Sequence, residues 1–235
     1  MVGDFLSMEQ DIQDIQNIRF LTSWSGGKDS ALAFWRARQS GAMSVGLLNM
    51  LAENGERSRS HGLPVAVLRA QAAALGLPMA FGQADWANYE SAWVKQTRTL
   101  AQNLNASHVV FGDIDLQAHR DWEEQVCVQV GVHAWLPLWQ ASRMDLLNEM
   151  LQLGMRALIV SARADCVDLL GETLSHAVIR SLIERGADAC GENGEYHTCV
   201  LDMPGFAEPL NVRLGEKEIS PEGYGFLRVD LAGGE

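Results

Sequence analysis

Ser25-Gly26-Gly27-Lys28-Asp29-Ser30 decides the fold. It is entered from the apolar run Ile18-Arg19-Phe20-Leu21-Thr22-Ser23-Trp24 and followed by Ala31, Phe34 and Trp35 at helical spacing. Two glycines let the backbone turn tightly and bring its N–H groups up to an anion, and the helix that follows adds unpaired donors and the positive end of its dipole. The stretch therefore reads as a phosphate cradle between a strand and a helix. Lys28 supplies a mobile point charge, Ser25 and Ser30 supply hydroxyl donors, and Asp29 is placed to hold magnesium directly or through water. The spacing is not the Walker pattern GxxxxGK[ST]. The plainer reading is a glycine turn with a Ser/Asp helix cap, and the strand-loop-helix setting weighs against it.

Outward from the loop, short apolar runs alternate with amphipathic stretches as far as about Asp115. Strands are expected at Met43–Leu51, Pro78–Ala84 and Ser107–Asp115. Helical stripes are formed by Val65, Leu68, Ala72 and Leu75, and by Trp93, Thr97, Leu100, Ala101 and Leu104. This βαβαβ order predicts an α/β protein whose parallel sheet carries helices on both faces. Trp122, Val126 and Val130 mark a further helix, and His133–Trp139 is extended because Pro137 disfavours a helical residue before it.

Three segments follow from this pattern: an arm over residues 1–17, a nucleotide-binding domain over 18–139, and a smaller C-terminal α+β domain over 140–235. In the last, a helix around Leu146–Leu151, a strand Met155–Ala162 and a helix carrying Leu174, Val178 and Leu182 precede strand-like segments at Tyr196–Pro204, Pro209–Leu214 and Tyr224–Ala232.

Eighteen Lys+Arg against thirty Asp+Glu give a net charge of −12, whereas a protein that neutralises many phosphates needs a basic surface. Nucleic acid is not an expected partner. The first residues are acidic where a secretion signal is basic, and no apolar run approaches a membrane span, so no membrane partner is expected either. The four cysteines show no CxxC spacing and suit a reducing compartment. A soluble, cytoplasmic protein is the expectation, with a homodimer as one assembly state.

Further candidates lie beyond the loop. Asp113 and Asp115 end a predicted strand, where an open α/β sheet borders its ligand crevice; they bind metal, position a substrate, or form a polar strand exit. Glu192-Asn193-Gly194-Glu195 would repel phosphate but suits an ammonium, an amine or a magnesium-bound water. Asn193-Gly194 equally signals a type I′ hairpin tip with two solvated carboxylates. His197 and Glu195 share a strand face and suit an acid/base pair, against the commoner strand histidine. His119 and Glu123, at i and i+4, read as an ordinary surface pair. His61 follows a polar loop and reads by itself as exposed. The tryptophans at 86, 93, 122, 135 and 139 read as core or interface.

SGGKDS resembles the PP-loop of the ATP pyrophosphatases, the adenine nucleotide alpha hydrolase-like superfamily, which cleaves ATP to AMP and pyrophosphate. Cys190–Thr198 with the strand after it resembles the GENGE signature of the diphthine–ammonia ligase family. WSGGKDS, HGLPVAVLRAQAAALGLP, GDIDLQAHRDWEEQVC and PLW agree, so the similarity runs from about Phe20 to Phe206.

The resemblance implies a Rossmann-like, HUP-type fold and ATP with Mg²⁺ bound by Ser25–Ser30. It implies a ligase that activates an acceptor carboxylate as an adenylate for amidation by ammonia. Lys28, Asp29, Glu192, Glu195 and His197 are then the catalytic candidates, and His61, Asp113, Asp115 and Glu192–Glu195 the substrate-binding ones. The implied acceptor is diphthine, a modified histidine of archaeal and eukaryotic elongation factor two; a bacterial chain would take another acceptor. The second reading is a PP-loop enzyme that modifies tRNA or transfers sulfur, for which Cys127 and Cys199 would have to meet. A third is a regulator that binds adenine nucleotide without turnover.

Overall fold

In the computed structural model, which describes residues 15–221 and 223–233, the chain builds two sheets around a shared core. The arm expected over residues 1–17 lies, apart from its last three positions, outside the described residues. The first sheet is parallel and ordered β3-β2-β1-β4-β5. Its strands are β1 (Arg19–Ser23), β2 (Met43–Leu51), β3 (Met79–Gln83), β4 (His108–Val110) and β5 (His133–Trp135). Between them run α1 (Lys28–Gln39), α2 (Val65–Leu75), α3 (Tyr89–Leu104) and α4 (Gln117–Val130).

Successive residues of a strand point to opposite faces, and both faces here are covered. Phe20 packs in one cluster with Phe34 of α1 and Leu68 of α2. Its neighbour Leu21 packs in the other with Trp93 of α3 and Val126 of α4. That double burial explains why β1 and β2 read as nearly unbroken apolar runs. β4 is shorter than the sequence predicts, ending at Val110 rather than Asp115. The chain leaves the ladder because Gly112 is pressed against the start of α1, where a Cβ atom would stand 2.7 Å from the Ser30 nitrogen.

The second half comprises α5 (Arg143–Gln152), β6 (Arg156–Ala162), a 3-10 segment Ala164–Leu169, α6 (His176–Glu184), β7 (Tyr196–Asp202), β8 (Val212–Ile219) and β9 (Gly225–Leu231). Its strands pair antiparallel in the order β7-β6-β9-β8. Ser142 and Ser175 cap α5 and α6, accepting the N–H of Asp145 at 3.4 Å and of Val178 at 3.3 Å. Leu174, expected inside the helix, therefore precedes it. The last predicted strands also shift: β8 starts at Val212 and runs on to Ile219, and the 3-10 segment has no counterpart in the sequence reading.

The larger hydrophobic cluster joins the sheets without a break, from Phe20, Phe34 and Leu68 to Leu158, Leu182 and Val200. Burying each such side chain contributes roughly 1.5–3 kcal/mol. The seam is hydrogen-bonded as well: Val200 N–H donates to Gly26 O at 2.9 Å and Ala207 N–H to Ala74 O at 2.7 Å. β7 thus runs directly beside the glycine loop.

Candidate active site

β1 lies between β2 and β4, and the chain leaves it toward opposite edges of the sheet; ligands of open α/β sheets bind in the crevice at such a switch point. A cleft of about 880 Å³ opens there, and its lining includes Lys28, Asp29, Asp113, Glu192, Tyr196 and His197. Its first wall is the glycine loop. Gly26 adopts φ +84° and is so enclosed that a Cβ atom would lie 2.7 Å from Leu63 Cδ1 and 2.8 Å from Gln71 Oε1. Gly27 is equally tight against His61, at 2.2 Å from Cε1. At the start of α1 the Lys28 N–H donates to the Thr198 hydroxyl at 3.0 Å, while the N–H groups of Asp29 and Ser30 have no acceptor among the described residues. They are free donors at a helix N-terminus.

Gln71 holds this wall in place. It is fully buried, accepts from Trp24 Nε1 at 2.8 Å, and donates to Gly26 O at 3.0 Å and Val200 O at 2.8 Å. One amide therefore ties β1, the loop and β7 together.

The opposite wall is the turn that precedes β7. Gly194 N–H donates to Gly191 O at 3.2 Å, so Glu192 and Asn193 are its central residues. Neither has positive φ, which excludes the type I′ hairpin tip, and β7 pairs with β6 rather than with a strand immediately before it. The two glutamates separate. Glu192 faces the cleft, whereas Glu195 is 2% exposed beneath the turn and accepts the N–H groups of Asp188 at 3.2 Å and Asn193 at 3.0 Å. The acid/base pair expected of Glu195 and His197 is not formed, because both Glu195 oxygens are committed to backbone donors. Asn193 is exposed and outside the cleft.

Asp115 is also outside the cleft. Arg143 bridges it, at 2.7 and 2.8 Å, to Asp188 at 2.8 Å, and Asp188 accepts the Glu192 N–H at 2.9 Å. The carboxylate thus anchors the turn and does not line the cleft.

Burial alone would lower the pKa of Lys28, but Asp29, with Tyr196, Cys190 and Glu192, holds it well above the ordinary value; its Nζ lies 2.7 Å from Asp29 Oδ2. Glu192 is pushed up to about 7 by burial and by Asp29, against the pull of Lys28. Burial lowers His61 to about 4, and lowers His197, with help from His61 and Lys28, to about 3. Both rings are therefore neutral, with centroids 4.8 Å apart. His61 Nδ1 lies 2.8 Å from Thr198 O, so that nitrogen carries the proton and Nε2 is the acceptor. The loop histidine is half-buried against the glycine loop rather than exposed.

The far end of the cleft holds residues that sequence reading undervalued. Glu123 is 4% exposed and stands beside Asp113, which binds His119 Nδ1 at 2.7 Å. Burial and Asp113 push Glu123 up to about 11. Burial works to raise Asp113, but its bond to His119, with Glu123 beside it, leaves it below the usual value. The available signal was the helix face of α4: Glu123 shares it with Val126 and Cys127, which are buried. Beside the carboxyl pair, Trp86, Tyr89 and Trp122 line the cleft with successive ring centroids 5.9 and 5.8 Å apart, and Arg59 stands 4.6 Å over Trp86.

Asp29, Glu192 and Cys190 present ligand atoms within 4.8 Å of one another. The two carboxylates suit a hard cation that keeps waters and shares phosphate oxygens; the Cys190 thiol, raised to about 12 by burial, does not. The donor set fits magnesium. All four cysteines are buried and free, and Cys127 and Cys199 belong to different core clusters, so they do not meet. Among the described residues no helix is long and apolar enough to cross a membrane.

Residues 18–134 match the family described as the diphthamide synthase N-terminal domain, and residues 142–232 the diphthamide synthase C-terminal domain. Diphthine–ammonia ligase of Homo sapiens is 34% identical over 99 residues, covering 40% of this chain and 37% of that protein. The Schizosaccharomyces pombe enzyme is 28% identical over 231 residues, covering 87% of this chain and 38% of that one. The Danio rerio enzyme is 24% identical over 234 residues, covering 87% and 91%. The chain thus matches well under half the length of the human and fission yeast proteins. Among solved structures, a predicted subunit of tRNA methyltransferase from Methanocaldococcus jannaschii aligns with 15% identity and a TM-score of 0.41, over 79% of this chain and 97% of that one.

Proposed function

Because the chain belongs to the diphthamide synthase family, we propose that it is an ATP-dependent ligase that joins ammonia to an acceptor carboxylate, forming AMP and pyrophosphate. Residues 18–139 bind the nucleotide in this reading and residues 140–235 present the acceptor side. One observation carries it: the SGGKDS loop and the GENGE turn, 160 or so residues apart in sequence, meet across one cleft, with Asp29 and Glu192 oxygens within 4.8 Å.

The free N–H groups of Asp29 and Ser30, the Ser25 and Ser30 hydroxyls and Lys28 receive the phosphates; Lys28 balances the charge that develops as the pyrophosphate leaves. Asp29 and Glu192 would hold magnesium, which supplies further charge neutralisation on the phosphates when bound. Glu192 orients the acceptor side of the cleft. His61 packs on Gly27 and His197 beside it; as neutral rings they line the phosphate wall without adding charge. Diphthine on an elongation factor is the proposed acceptor where that modified histidine exists, and another carboxylate elsewhere.

Incubation with ATP and magnesium tests the reading. AMP and pyrophosphate, formed as an acceptor is consumed, support it; ADP overturns it. Lys28→Ala should lower pyrophosphate release by about a hundredfold, as loss of one charge-stabilising group does. The acceptor is found by comparing protein and small-molecule mass shifts with and without ATP and labelled ammonium.

A further inference from the structure

We infer that Tyr196 is the positioning residue for Lys28: its ring face, presented by β7, holds the lysine ammonium at the glycine loop without taking its charge. The inference rests on the reading of that loop as the triphosphate site and adds what fixes the loop's lysine. Lys28 Nζ lies 5.3 Å from the centroid of the Tyr196 ring, and the two residues are 3% and 2% exposed. A lysine is a point charge on a flexible four-carbon stem and would roam at an open loop. Here the ammonium's hydrogen-bond acceptor among the described residues is the neighbouring Asp29 carboxylate alone, at 3.0 and 2.7 Å. The ring lies against the same charge.

The kind of partner matters. Burial works against the ammonium, and Asp29 holds it charged. A second carboxylate in the place of the ring would satisfy the lysine outright and repel a phosphate as well. An aromatic face attracts the cation through its quadrupole and carries no net charge. The ammonium is therefore held in place with its positive charge still available to an anion in the cleft.

The ring itself is fixed by its surroundings. Its hydroxyl donates to Ala189 O at 2.7 Å, and its backbone pairs with Ala162 of β6. Gly191, at φ +79°, is so close that a Cβ atom would stand 3.1 Å from Tyr196 Cε1. Ala189 and Gly191 belong to the segment that also carries Glu192 into the cleft. One short stretch thus aims a carboxylate across the cleft and seats a ring against the lysine, so the second sheet takes part in shaping the anion wall.

Protein labelled with carbon-13 at lysine Cε tests the contact. The Lys28 signal, identified by its absence from Lys28→Arg, should show ε-methylene protons shifted upfield by the ring. That shift should persist in Tyr196→Phe and vanish in Tyr196→Leu. Calorimetry with magnesium pyrophosphate reads the consequence. Tyr196→Leu should weaken binding about tenfold, as loss of a desolvated cation–π contact does, whereas the conservative Tyr196→Phe should stay within about threefold. In a Lys28→Ala background Tyr196→Leu should add less than about twofold. Pentafluorophenylalanine at position 196 keeps the ring's shape and reverses its quadrupole, so it should weaken binding as leucine does, and it serves where Tyr196→Leu fails to fold.

An ε-methylene signal at the position of exposed lysines overturns the role, as does equal pyrophosphate affinity in wild type and the pentafluorophenylalanine protein. A Tyr196→Leu loss as large without Lys28 as with it overturns it too, since packing alone would then explain it. Urea denaturation of each variant reports the fold separately. If ATP goes to AMP and pyrophosphate while these tests fail, the positioning role falls and the ligase reading stands. If they succeed and ATP goes to ADP, the ligase reading falls and Tyr196 still positions Lys28.

Discussion

The hydroxyl of Thr198 accepts the backbone N–H of Lys28 at 3.0 Å, joining groups 170 residues apart. A helix N-terminus leaves its first N–H groups unsatisfied, and here the second sheet supplies the cap that the loop's own side chains do not. Thr198→Val keeps the volume and removes the acceptor, so it should cost about 1–3 kcal/mol in urea denaturation; Thr198→Ser should restore most of that. Equal stability of wild type and Thr198→Val would show that this bond does not hold the halves together.

Gln71 answers for three partners at once. Gln71→Leu leaves the buried Trp24 N–H without an acceptor and takes a donor from both Gly26 O and Val200 O. The expected loss is about 3 kcal/mol, accompanied by a change in tryptophan fluorescence. A loss no larger than at exposed positions of α2 contradicts this role.

Gly27 and His61 form a steric pair. The φ of Gly27 is −97°, which any residue adopts, so the objection to alanine there is steric: chiefly the 2.2 Å approach to His61 Cε1, with the Thr198 carbonyl oxygen at 3.2 Å. Gly27→Ala should cost about 1–3 kcal/mol, and His61→Ala in the same chain should recover more than half of it. Additive costs in the double mutant would place the strain elsewhere.

Stability should follow pH with two opposing contributions. His61 and His197 have folded pKa values near 4 and 3, below the ordinary 6.5, so the unfolded chain binds more protons and stability falls as pH drops below about 6.5. Glu192 acts with the opposite sign. Its folded value of about 7 lies above the ordinary 4.5, so its contribution declines as pH rises between those values. Glu192→Gln should therefore steepen the rise in stability from about pH 4.5 to 6.5, by at most about 1.4 kcal/mol per pH unit. His61→Asn should flatten it. Urea titrations across this range decide both.

The glycine loop between strand and helix, the parallel first sheet and both of its helix layers were legible because their signals are local: a glycine pair between apolar strand and amphipathic helix, and periodicity on either side. The division between Glu192 and Glu195 was not. The two residues are chemically identical and three apart, and only the path of the turn sends one into the cleft and the other under its own backbone. Asp115 was expected at the cleft, and what holds it outside is Arg143, 28 positions on. Glu123 looked like half of a surface pair with His119; the cue against that was its shared helix face with Val126 and Cys127. Gln71 lies within HGLPVAVLRAQAAALGLP, but nothing nearby in sequence marks the loop and strand it holds.

The bond from Val200 to Gly26 makes the glycine loop an edge partner of β7. Any molecule gripped by those glycines is thereby attached to both sheets, so its binding energy tightens the whole polypeptide, far beyond the segment it touches. Occupancy should be visible at a distance, as slower amide exchange along β6 and β7, and a chain cut between the halves would lose the strand that braces the loop.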